Sequence, residues 1–343
     1  MLNDIRLFID MIDLSASEGK RPMNKSVIVI GARGRFGRAA TQSFHSNGWD
    51  VRAFARNAGD CERKNIEWIE GDAFDRTAIE KACEGMDVIV NALNPPYERW
   101  EADLPILTAN IITAAQKSRA TVMIPGNVYN YGMNISPLIS EQNLHKPHTK
   151  KGRLRVEMER SYMQASVNGV RTIVLRAGDF IEREKTGNWF DSHIAPKALS
   201  GKFTYPGPLD LKHAWAYLPD MARAMVMLAE ERHRFEPFEE FGFSGWGLTG
   251  AELVAKIESV TGVPQKVGQL PWAIIKMISV FSPRIKEVLE MRYLWQVAHE
   301  IDGSKLRDAI PQFEPTPLEQ ALGNVLEIRT SATGQEKTAR VTA

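Results

Sequence analysis

Hydrophobic and polar positions follow two rhythms along the first half of the chain. Short continuous apolar runs, such as SVIVI at 26–30, are typical of strands buried on both faces of a parallel sheet. Longer segments between these runs repeat apolar residues at helical spacing. The pattern predicts strands at 26–30, 51–55, 66–70, 87–92, 121–125 and 171–177, and helices near 36–47, 76–84, 99–118 and 152–166. Strands and helices in alternation predict an α/β fold with a doubly wound parallel sheet.

The second half of the chain loses this alternation. One more strand and helix are predicted within 213–231, followed by helices near 249–261, 272–281 and 284–299. We expect one larger domain from residues 23–177 with about 213–235, and a smaller C-terminal α/β lobe from about 178–212 and 236–325. Residues 1–22 are expected to be an N-terminal extension, and the polar stretch 326–343 a disordered tail.

Charge is almost balanced over the whole chain. There are 43 Lys and Arg residues against 42 Asp and Glu, a net charge of +1. This gives no overall attraction to nucleic acid or to a membrane, so any electrostatic function must be local. No apolar run approaches the roughly 20 residues that span a bilayer. The longest candidate, LPWAIIKMISVFSP at 270–283, is interrupted by Lys276, and we interpret it as an amphipathic or pocket-lining helix rather than a membrane contact.

Cysteine usage bears on the compartment. The chain has two cysteines, Cys61 and Cys83, and no secretory segment is evident ahead of them. We therefore expect a reducing, cytoplasmic location.

The first predicted strand ends in a glycine-rich loop, GARGRFG at 31–37, which leads directly into a helix. In this G-x-x-G-x-x-G spacing, Gly31 makes the tight turn, Gly34 admits a pyrophosphate, and Gly37 lets the helix pack on the strand. The amides of the helix N-terminus can bind the anion. A glycine-rich turn that binds nothing is the alternative, but the strand–loop–helix context favours a dinucleotide site.

The end of the second strand distinguishes the two nicotinamide cofactors. In NAD-specific proteins an acidic residue about 20 positions after the glycines binds the ribose hydroxyls, whereas here the strand ends at Arg56, followed by Asn57. A guanidinium there would bind a 2′-phosphate through charge-assisted hydrogen bonds, and Arg33 could do so from the other side. The alternative is that both arginines are solvated surface charges. The sequence favours NADP(H), with NADPH preferred to NADH.

The ends of the next strands carry weaker signals for the same cofactor. EGDAFD places Asp72 where an adenine amino group is expected, and NALN at 91–94 lies under the expected path of ribose and pyrophosphate. Each signal is weak alone, but their order along the strands is consistent. The predicted cofactor contacts up to the fifth strand are Gly31, Arg33, Gly34, Arg35, Phe36, Gly37, Arg56, Asp72, Ala73, Asn91, Ala92, Leu93 and Pro125.

In this order, the motifs resemble the extended branch of the short-chain dehydrogenase/reductase superfamily, the NAD(P)-dependent epimerase/dehydratase group. The resemblance runs from about residue 26 to 325 and is carried by GARGRFG, GDAFD, NALN, YNYG, LRAGDFI, AYLPDMARAM and DGSKLRDAIPQFEPTPLEQAL. It implies that the larger domain is a Rossmann domain that binds NADP, and that a small-molecule substrate lies between it and the lobe. It also implies that Gly178, Asp179 and Phe180 lie near the nicotinamide.

The catalytic pattern of that superfamily is absent. The family places Ser or Thr four residues before a Tyr-Gly pair, where this chain has Asn127, and then a Y-x-x-x-K that this chain lacks. Alignment on Glu157 puts Thr149 at the tyrosine position and Arg153 at the lysine position. A phenol can exchange a proton once an ammonium lowers its pKa, whereas a threonine hydroxyl cannot ionise usefully. Thr149 and Asn127 remain hydrogen-bond donors, and Arg153 a permanent cation for ribose hydroxyls or an anionic substrate.

Another group must therefore supply the proton. The candidates are Lys150, Lys151, Tyr129, Tyr131 and His148, since neighbouring cations in HKPHTKKGRLR could lower the pKa of a lysine. The plainer interpretation is a solvated loop and helix start for the lysines and a packed ring for Tyr131. The candidate catalytic set is Asn127, Thr149, Lys151, Arg153 and Tyr131.

His145 and His148 are spaced as a pair of metal ligands can be. No acidic or cysteine partner is evident in the sequence, and a zinc site needs three or four ligands. We therefore predict no metal.

Two classes of function stay open. The first is an NADP(H)-dependent oxidoreductase of atypical mechanism that acts on a small carbonyl or a conjugated bond. The second is a non-catalytic NADP(H)-binding redox sensor or assembly protein. A sugar-nucleotide epimerase or dehydratase is less favoured, because alcohol oxidation needs a base that this chain lacks at the expected position.

The C-terminal lobe offers aromatic residues but no motif that names a substrate. Trp189, Phe190, His213 and Trp215 are expected to line the cleft or to lie in the core. The stretch 270–295 is expected to form either an apolar pocket wall or a subunit contact, as in a homodimer.

Overall fold

The computed structural model describes residues 25–57 and 65–327. The strands are β1 Ser26–Ile30, β2 Asp50–Ala55, β3 Ile66–Glu70, β4 Val88–Asn91, β5 Thr121–Gly126, β6 Leu138–Ile139, β7 Thr172–Arg176, β8 Asp179–Ile181, β9 Lys202–Tyr205, β10 Lys212–Tyr217, β11 Phe238–Gly242, β12 Trp246–Thr249, β13 Lys266–Gln269 and β14 Glu300–Ile301. The helices are α1 Arg35–Ser46, α2 Arg76–Ala82, α3 Trp100–Ser118, α4 Lys150–Ala165, α5 Leu218–Glu230, α6 Gly250–Thr261, α7 Trp272–Ser279, α8 Pro283–Glu290, α9 Ser304–Ala309 and α10 Leu318–Val325. Three sequence expectations lie outside the described residues: the extension 1–22, Cys61, and residues 328–343 of the tail.

Seven parallel strands form the main sheet, in the order β11-β7-β5-β4-β1-β2-β3. All residues of β1 and β4 are buried, as expected of continuous apolar runs at the centre of a parallel sheet. The chain builds outward from β1 to β3 and then resumes on the other side of β1 with β4. Ligands of such sheets bind at the carboxyl ends of the strands where the order reverses. The predicted Rossmann-type doubly wound sheet is confirmed.

Helices cover both faces of the main sheet. On one face α1 and α5 contribute Phe36, Phe44, Met221 and Met225 to the core. On the other, α2, α3 and α4 contribute residues that include Ile79, Leu107, Met158 and Tyr162. Each helix therefore buries one apolar stripe against the strands.

The C-terminal lobe starts at the carboxyl edge of the main sheet, because β8 follows β7 after two residues. It contains a three-stranded sheet, β12-β10-β8, and a parallel pair, β13-β9. Its core is rich in aromatic side chains, among them Phe203, Tyr205, Trp215 and Trp295. Within the described residues, no helix is long and apolar enough to cross a membrane.

Two segments lie elsewhere than their predicted domains. Strand β11 falls within 236–325, expected in the lobe, but it pairs with β7 as the edge strand of the main sheet. Strand β10 falls within 213–235, expected in the main domain, but it pairs with β8 and β12 in the lobe. The sequence of β11, FEEFG, has acidic residues at its centre and three half-buried positions, so it gives a weak strand signal.

Candidate functional site

The glycine loop after β1 has the geometry that close approach of a ligand requires. Gly31 has a φ of +83°, and a Cβ there would lie 2.9 Å from the carbonyl oxygen of Ala92 at the end of β4. A Cβ on Gly37 would overlap the carbonyl oxygen of Gly31. A side chain at either position would separate α1 from the sheet. The glycines thus place the start of α1 directly beside the strand ends.

The first turn of α1 is open to an anion. Gly34 is the N-cap residue and offers no side-chain acceptor, and the first turn contains no acidic residue. The first N–H groups of a helix have no partner within the helix, and its dipole favours negative charge there. Phe36 is buried in the core and holds the helix in place. The residues present therefore fit a pyrophosphate held by backbone amides.

Two arginines lie at the end of β2, where a dinucleotide's adenosine ribose is expected. The guanidinium of Arg33 donates to the carbonyl oxygen of Asn57 at 2.7 Å, which fixes it beside the last residues of β2. Both Arg33 and Arg56 are exposed. Within the described residues neither forms an ion pair, so both charges are available to an incoming anion.

Arg35 extends from the same loop toward the lobe. Its Nε lies 2.9 Å from Glu182 Oε1 and 2.6 Å from the hydroxyl oxygen of Thr186, to which it donates. Glu182 is buried and also accepts from Asn188 at 3.0 Å, and burial raises the pKa of its carboxyl group. This contact joins the cofactor loop to the segment after β8.

The remaining predicted cofactor residues lie along the strand ends in the expected order. Asp72 is exposed and accepts from the backbone N–H of Phe74 at 3.1 Å. Asn91 is buried, donates to the hydroxyl of Tyr162 at 2.9 Å and accepts from the N–H of Leu93 at 3.2 Å. Ala73 and Ala92 are buried, whereas Pro125, Gly178 and Phe180 are half-buried.

The residues of α4 that face inward differ from those that alignment on Glu157 indicated. Thr149 caps the helix, accepting from the N–H of Gly152 at 3.1 Å. Arg153 is exposed and donates to the carbonyl oxygen of His148 at 3.0 Å. The buried face carries Lys151 and Arg155, four residues apart. The inward positions of α4 are thus shifted by two residues from those predicted.

Lys151 is fully engaged in contacts with the lobe. Its ammonium pairs with Glu287 and, at 2.8 Å, with Glu290, both on α8. Its backbone N–H donates to Glu290 at 3.0 Å, and it lies over the ring of Tyr97. These contacts favour a structural role for Lys151 over the general-acid role considered from the sequence.

Arg155 and two tyrosines lie at the ends of β4 and β5. Arg155 donates to Asn94 Oδ1 at 3.1 Å and stacks over Trp100, with its guanidinium carbon 4.3 Å from the ring centroid. The hydroxyls of Tyr97 and Tyr129 are 3.4 Å apart, and burial raises the pKa of Tyr129. Asn127 accepts from the N–H of Tyr129 at 3.0 Å through its side chain. Its amide oxygen is therefore used, while its NH₂ group can still donate.

A buried ionic network lies behind Asn127. Arg176 pairs with Glu240 at 2.6 Å and with Glu159 at 2.9 Å, and it donates to the carbonyl oxygen of Asn127 at 2.5 Å. Tyr131 donates to Glu240 at 3.1 Å, and burial raises the pKa of the Tyr131 phenol. Tyr131 therefore packs in this network, which favours the structural interpretation.

His145 has acidic neighbours that the sequence did not indicate. Ligand atoms of His145, Glu159 and Glu240 lie within 4.8 Å of one another. Arg176 already pairs with both carboxylates, so the cation of this cluster is a guanidinium. His148, by contrast, packs edge-on against Tyr293 with ring centroids 4.4 Å apart.

A carboxylate and an imidazole meet where the lobe joins the main sheet. His213 Nε2 lies 2.8 Å from Asp179 Oδ2, and strand pairing of β8 with β10 sets Asp179 opposite Trp215. His213 is buried and stacks on Trp295, with centroids 3.9 Å apart and ring planes 3° apart. Asp179 is partly exposed, and its charge contributes to the raised pKa of Tyr129.

Sequence reasoning missed the pairing of Asp179 with His213, the inward position of Arg155 and the acidic partners of Lys151. The inward position of Arg155 had a signal in the sequence: Lys151, Arg155 and Glu159 repeat every four residues on α4, and residues four apart share a helix face. The other contacts join segments 34 and 136 or more residues apart, and no local pattern marks them.

Comparisons with known proteins agree with this geometry. Residues 31–188 match the family model described as NAD(P)H-binding, so this chain carries an NAD(P)-binding domain. No curated protein sequence gives a significant match.

The fold is shared with solved structures of nucleotide-sugar epimerases. UDP-glucose 4-epimerase from Thermotoga maritima, solved with UDP-glucose, has a TM-score of 0.69 and 17% identity, covering 88% of this chain and 97% of that one. UDP-N-acetylglucosamine 4-epimerase from Bacillus cereus gives 0.69 and 16%, with 89% and 99% covered. MoeE5, solved in complex with UDP-glucuronic acid and NAD, gives 0.70 and 16%, with 88% and 98% covered. The predicted resemblance is confirmed for the fold and for the NAD(P)-binding domain.

Proposed function

We propose that this protein is an NADP(H)-dependent oxidoreductase that reduces a small carbonyl or conjugated substrate, or oxidises the corresponding alcohol, without the usual tyrosine. The observation that carries the cofactor part is the pair Arg33 and Arg56 beside the open N-terminus of α1. A 2′-phosphate needs cations at the end of β2, and this chain offers two there and no carboxylate in the described part of that loop.

Asp179 and His213 are proposed to hold the proton. Reduced nicotinamide dinucleotide, when bound, supplies a hydride to the substrate carbon. In alcohol oxidation the Asp179 carboxylate takes the proton of the substrate alcohol; in carbonyl reduction the carboxylate first takes a proton from water and then passes it to the substrate oxygen. His213 acts through Asp179 as a positioning residue, since its ring is buried and stacked on Trp295.

The other polar groups of the cleft are proposed to bind and orient. Tyr97 and Tyr129, whose hydroxyls are 3.4 Å apart, can hold a substrate oxygen, and Asn127 can donate through its NH₂ group. Arg155, held by Asn94 and Trp100, keeps a permanent charge at the end of β4. Arg155 is therefore proposed, instead of Arg153, as the cation that binds the ribose hydroxyls.

A nucleoside diphosphate sugar is a poorer substrate for this site. Such a substrate brings two negative charges, whereas the nearby cation Lys151 is already paired with Glu287 and Glu290. Carboxylates whose charge exceeds that of the paired lysine oppose the binding of a diphosphate. We therefore propose a substrate without a diphosphate. A cytoplasmic location and a homodimer remain predictions.

A second function is supported by one observation. Thr149 and Lys151, both named from the sequence for catalysis, are engaged in a helix cap and in contacts with α8. Because both side chains make structural contacts, the chain is also suited to be a non-catalytic NADP(H)-binding sensor or assembly protein. Cofactor consumption with a panel of aldehydes, ketones and enones separates the two: turnover supports the oxidoreductase, and tight binding without turnover supports the sensor.

The cofactor assignment is tested by Arg56→Asp. Charge-assisted hydrogen bonds contribute about 1.5–3 kcal/mol, so affinity for NADPH should fall about 10- to 100-fold in a fluorescence titration. Affinity for NADH should hold or rise, because a carboxylate suits free ribose hydroxyls. Arg160→Asp, an exposed arginine on α4, is the matched charge control. Unchanged NADPH affinity in Arg56→Asp would show that the 2′-phosphate site is wrongly placed.

A further inference from the structure

Residues 193–209 and 263–286 of the C-terminal lobe form a surface that we call the lobe tip. Strands β9 and β13 pair in parallel within it, and β13 leads directly into α7. The N–H of Leu270 donates to the carbonyl oxygen of Tyr205 at 3.1 Å, and Trp272 Nε1 donates to that of Pro206 at 2.6 Å. Helix α7 is therefore fixed to the strand pair.

The lobe tip exposes an unusual amount of apolar surface. None of the residues of α7 is buried, although most of them are apolar. Phe281 is 86% exposed, Val280 78% and Met277 64%. The large apolar side chains that the tip exposes are Leu199, Val267, Ile274, Met277, Ile278, Val280 and Phe281, half of all such exposed side chains in the described part of the chain. Contiguous exposed apolar surface of this kind marks an interaction site.

The same surface carries charge of one sign. The two segments contain six basic residues and no Asp or Glu, in a chain whose charges are otherwise almost balanced. Lys197, Lys202, Lys266, Lys276 and Lys286 are all exposed. Within the described residues none of these five lysines forms an ion pair. The tip therefore combines exposed apolar side chains with unpaired lysines, and the carboxylate that contacts it, Glu258, accepts from the N–H of Gln265 at 2.6 Å.

This observation changes the interpretation of LPWAIIKMISVFSP. A pocket-lining helix would bury one face, whereas α7 presents Ile274, Met277 and Ile278 to the exterior. A contact of the tip with itself across a two-fold axis is opposed, because it would set lysines against lysines. Apolar side chains among lysines are the pattern of segments that lie in the interface of an anionic bilayer.

We propose that the lobe tip docks this protein reversibly on an anionic membrane surface, with Phe281 and the exposed face of α7 entering the headgroup region. The lysines add electrostatic attraction to the anionic lipids. The contact is peripheral and needs no membrane-spanning segment. It does not depend on the cofactor or on turnover, so the docking and the proposed oxidoreductase activity stand or fall separately.

The test is sedimentation of the full chain with lipid vesicles. Vesicles of phosphatidylcholine with phosphatidylglycerol should carry the protein into the pellet, whereas phosphatidylcholine alone should not. Raising the salt from about 0.1 M to about 1 M shortens the Debye length from about 10 Å to about 3 Å and should release most of it. Failure to pellet with the anionic vesicles at low salt would overturn the proposal.

Variants locate the surface. Lys276→Gln and Lys286→Gln should each weaken partitioning about fivefold, which corresponds to about 1 kcal/mol for each basic residue. Phe281→Ser should weaken it about tenfold or more through lost apolar burial. The matched controls are Lys81→Gln on α2 and Val167→Ser, an apolar residue 88% exposed after α4.

Two further outcomes are decisive. If the controls weaken binding as much as the tip variants, the contact is not at the tip. If light scattering shows a dimer that Phe281→Ser dissociates, while vesicle binding is unchanged, the tip is a subunit interface and the membrane proposal is wrong. Unchanged circular dichroism spectra and unchanged urea unfolding of the tip variants show that they remain folded.

Discussion

His213 places one ring nitrogen 2.8 Å from Asp179, and its other ring nitrogen, Nδ1, is buried with no partner among the described residues. The tautomer with hydrogen on Nε2 donates to the carboxylate and avoids a buried N–H without an acceptor, which would cost about 1–3 kcal/mol. His299 and Trp295 pack on the ring and restrict its rotation. His213 is thereby positioned to hold the Asp179 carboxyl group in one orientation.

Asp179→Asn should lower kcat about 10²- to 10⁴-fold for any substrate that the carbonyl panel identifies, because an amide cannot transfer the proton. NADPH affinity, measured by fluorescence titration, should change little, since Asp179 is not among the groups proposed to bind the cofactor. Activity of Asp179→Asn equal to that of the unmodified chain would remove Asp179 from the mechanism.

His213→Gln is the companion variant. A glutamine can still donate to Asp179, so a purely structural role predicts unchanged pH dependence. A positioning role predicts a displaced acid or base limb in the pH profile of kcat/KM. Tyr129, Tyr205 and His299 are the other titratable groups that face this pair, and each stays the same in both proteins.

At the residue scale, the sequence located residues of the glycine loop and the end of β2 better than the inward-facing residues of α4. Gly31, Gly37 and Arg56 could be placed because a single loop and a single strand end determine where they lie. The inward-facing residues of α4 could not, because a shift of two residues exchanges the exposed Arg153 for the buried Arg155. Asp179 was placed near the nicotinamide by resemblance, but its contact with His213 depends on how β8 meets β10.

At the scale of elements, the buried strands were predictable from continuous apolar runs, and α4 from its helical period. Strand β11 was not, because an edge strand with Glu239 and Glu240 at its centre lacks such a run. The contact of α4 with α8 was also hidden, since Lys151 and Glu287 are far apart in sequence. This contact has a consequence for stability that is independent of catalysis.

Lys151→Met should destabilise the protein by about 1–3 kcal/mol in urea unfolding, because Glu287 and Glu290 lose the ammonium that they share. Adding Glu287→Gln and Glu290→Gln should recover part of this loss, as a double-mutant cycle would show. NADPH affinity should stay the same. If Lys151→Met instead keeps its stability and loses turnover, Lys151 is the general acid that the sequence analysis considered.

At the scale of the whole molecule, buried ionisable groups lie both beside the main sheet and inside the lobe. Arg176 on β7 joins Glu159 of α4 to Glu240 of β11. Burial would raise the pKa of Glu240, but Arg176 outweighs it and holds that pKa below its ordinary value. His299 lies under His213, with ring centroids 4.6 Å apart, and both are almost completely buried. The stability of the folded protein therefore depends on the protonation states of its buried groups.

His299 should make the protein sensitive to mild acid. Burial and the neighbouring His213 lower the pKa of His299 to about 3, against about 6.5 in the unfolded chain. As the pH falls below about 6.5 the unfolded chain takes up this proton first, so stability present at neutral pH is lost progressively toward pH 3, by about 1.4 kcal/mol per pH unit. His145, His148, His193 and His233 act in the same direction, because burial lowers the pKa of each.

This effect is measured by urea unfolding of the unmodified chain and of His299→Gln at pH 7.5, 6.0 and 5.0. The free energy of unfolding of each protein is expressed relative to its own value at pH 7.5. That reference removes the packing cost of the substitution, because His299 is neutral in both states there. Between pH 6.0 and 5.0 the free energy of unfolding of His299→Gln should fall less steeply than that of the unmodified chain. The two slopes should differ by about 1.4 kcal/mol per pH unit. Parallel curves would mean that His299 reaches solvent or a counter-charge in the folded protein, which would contradict its closed packing beside His213.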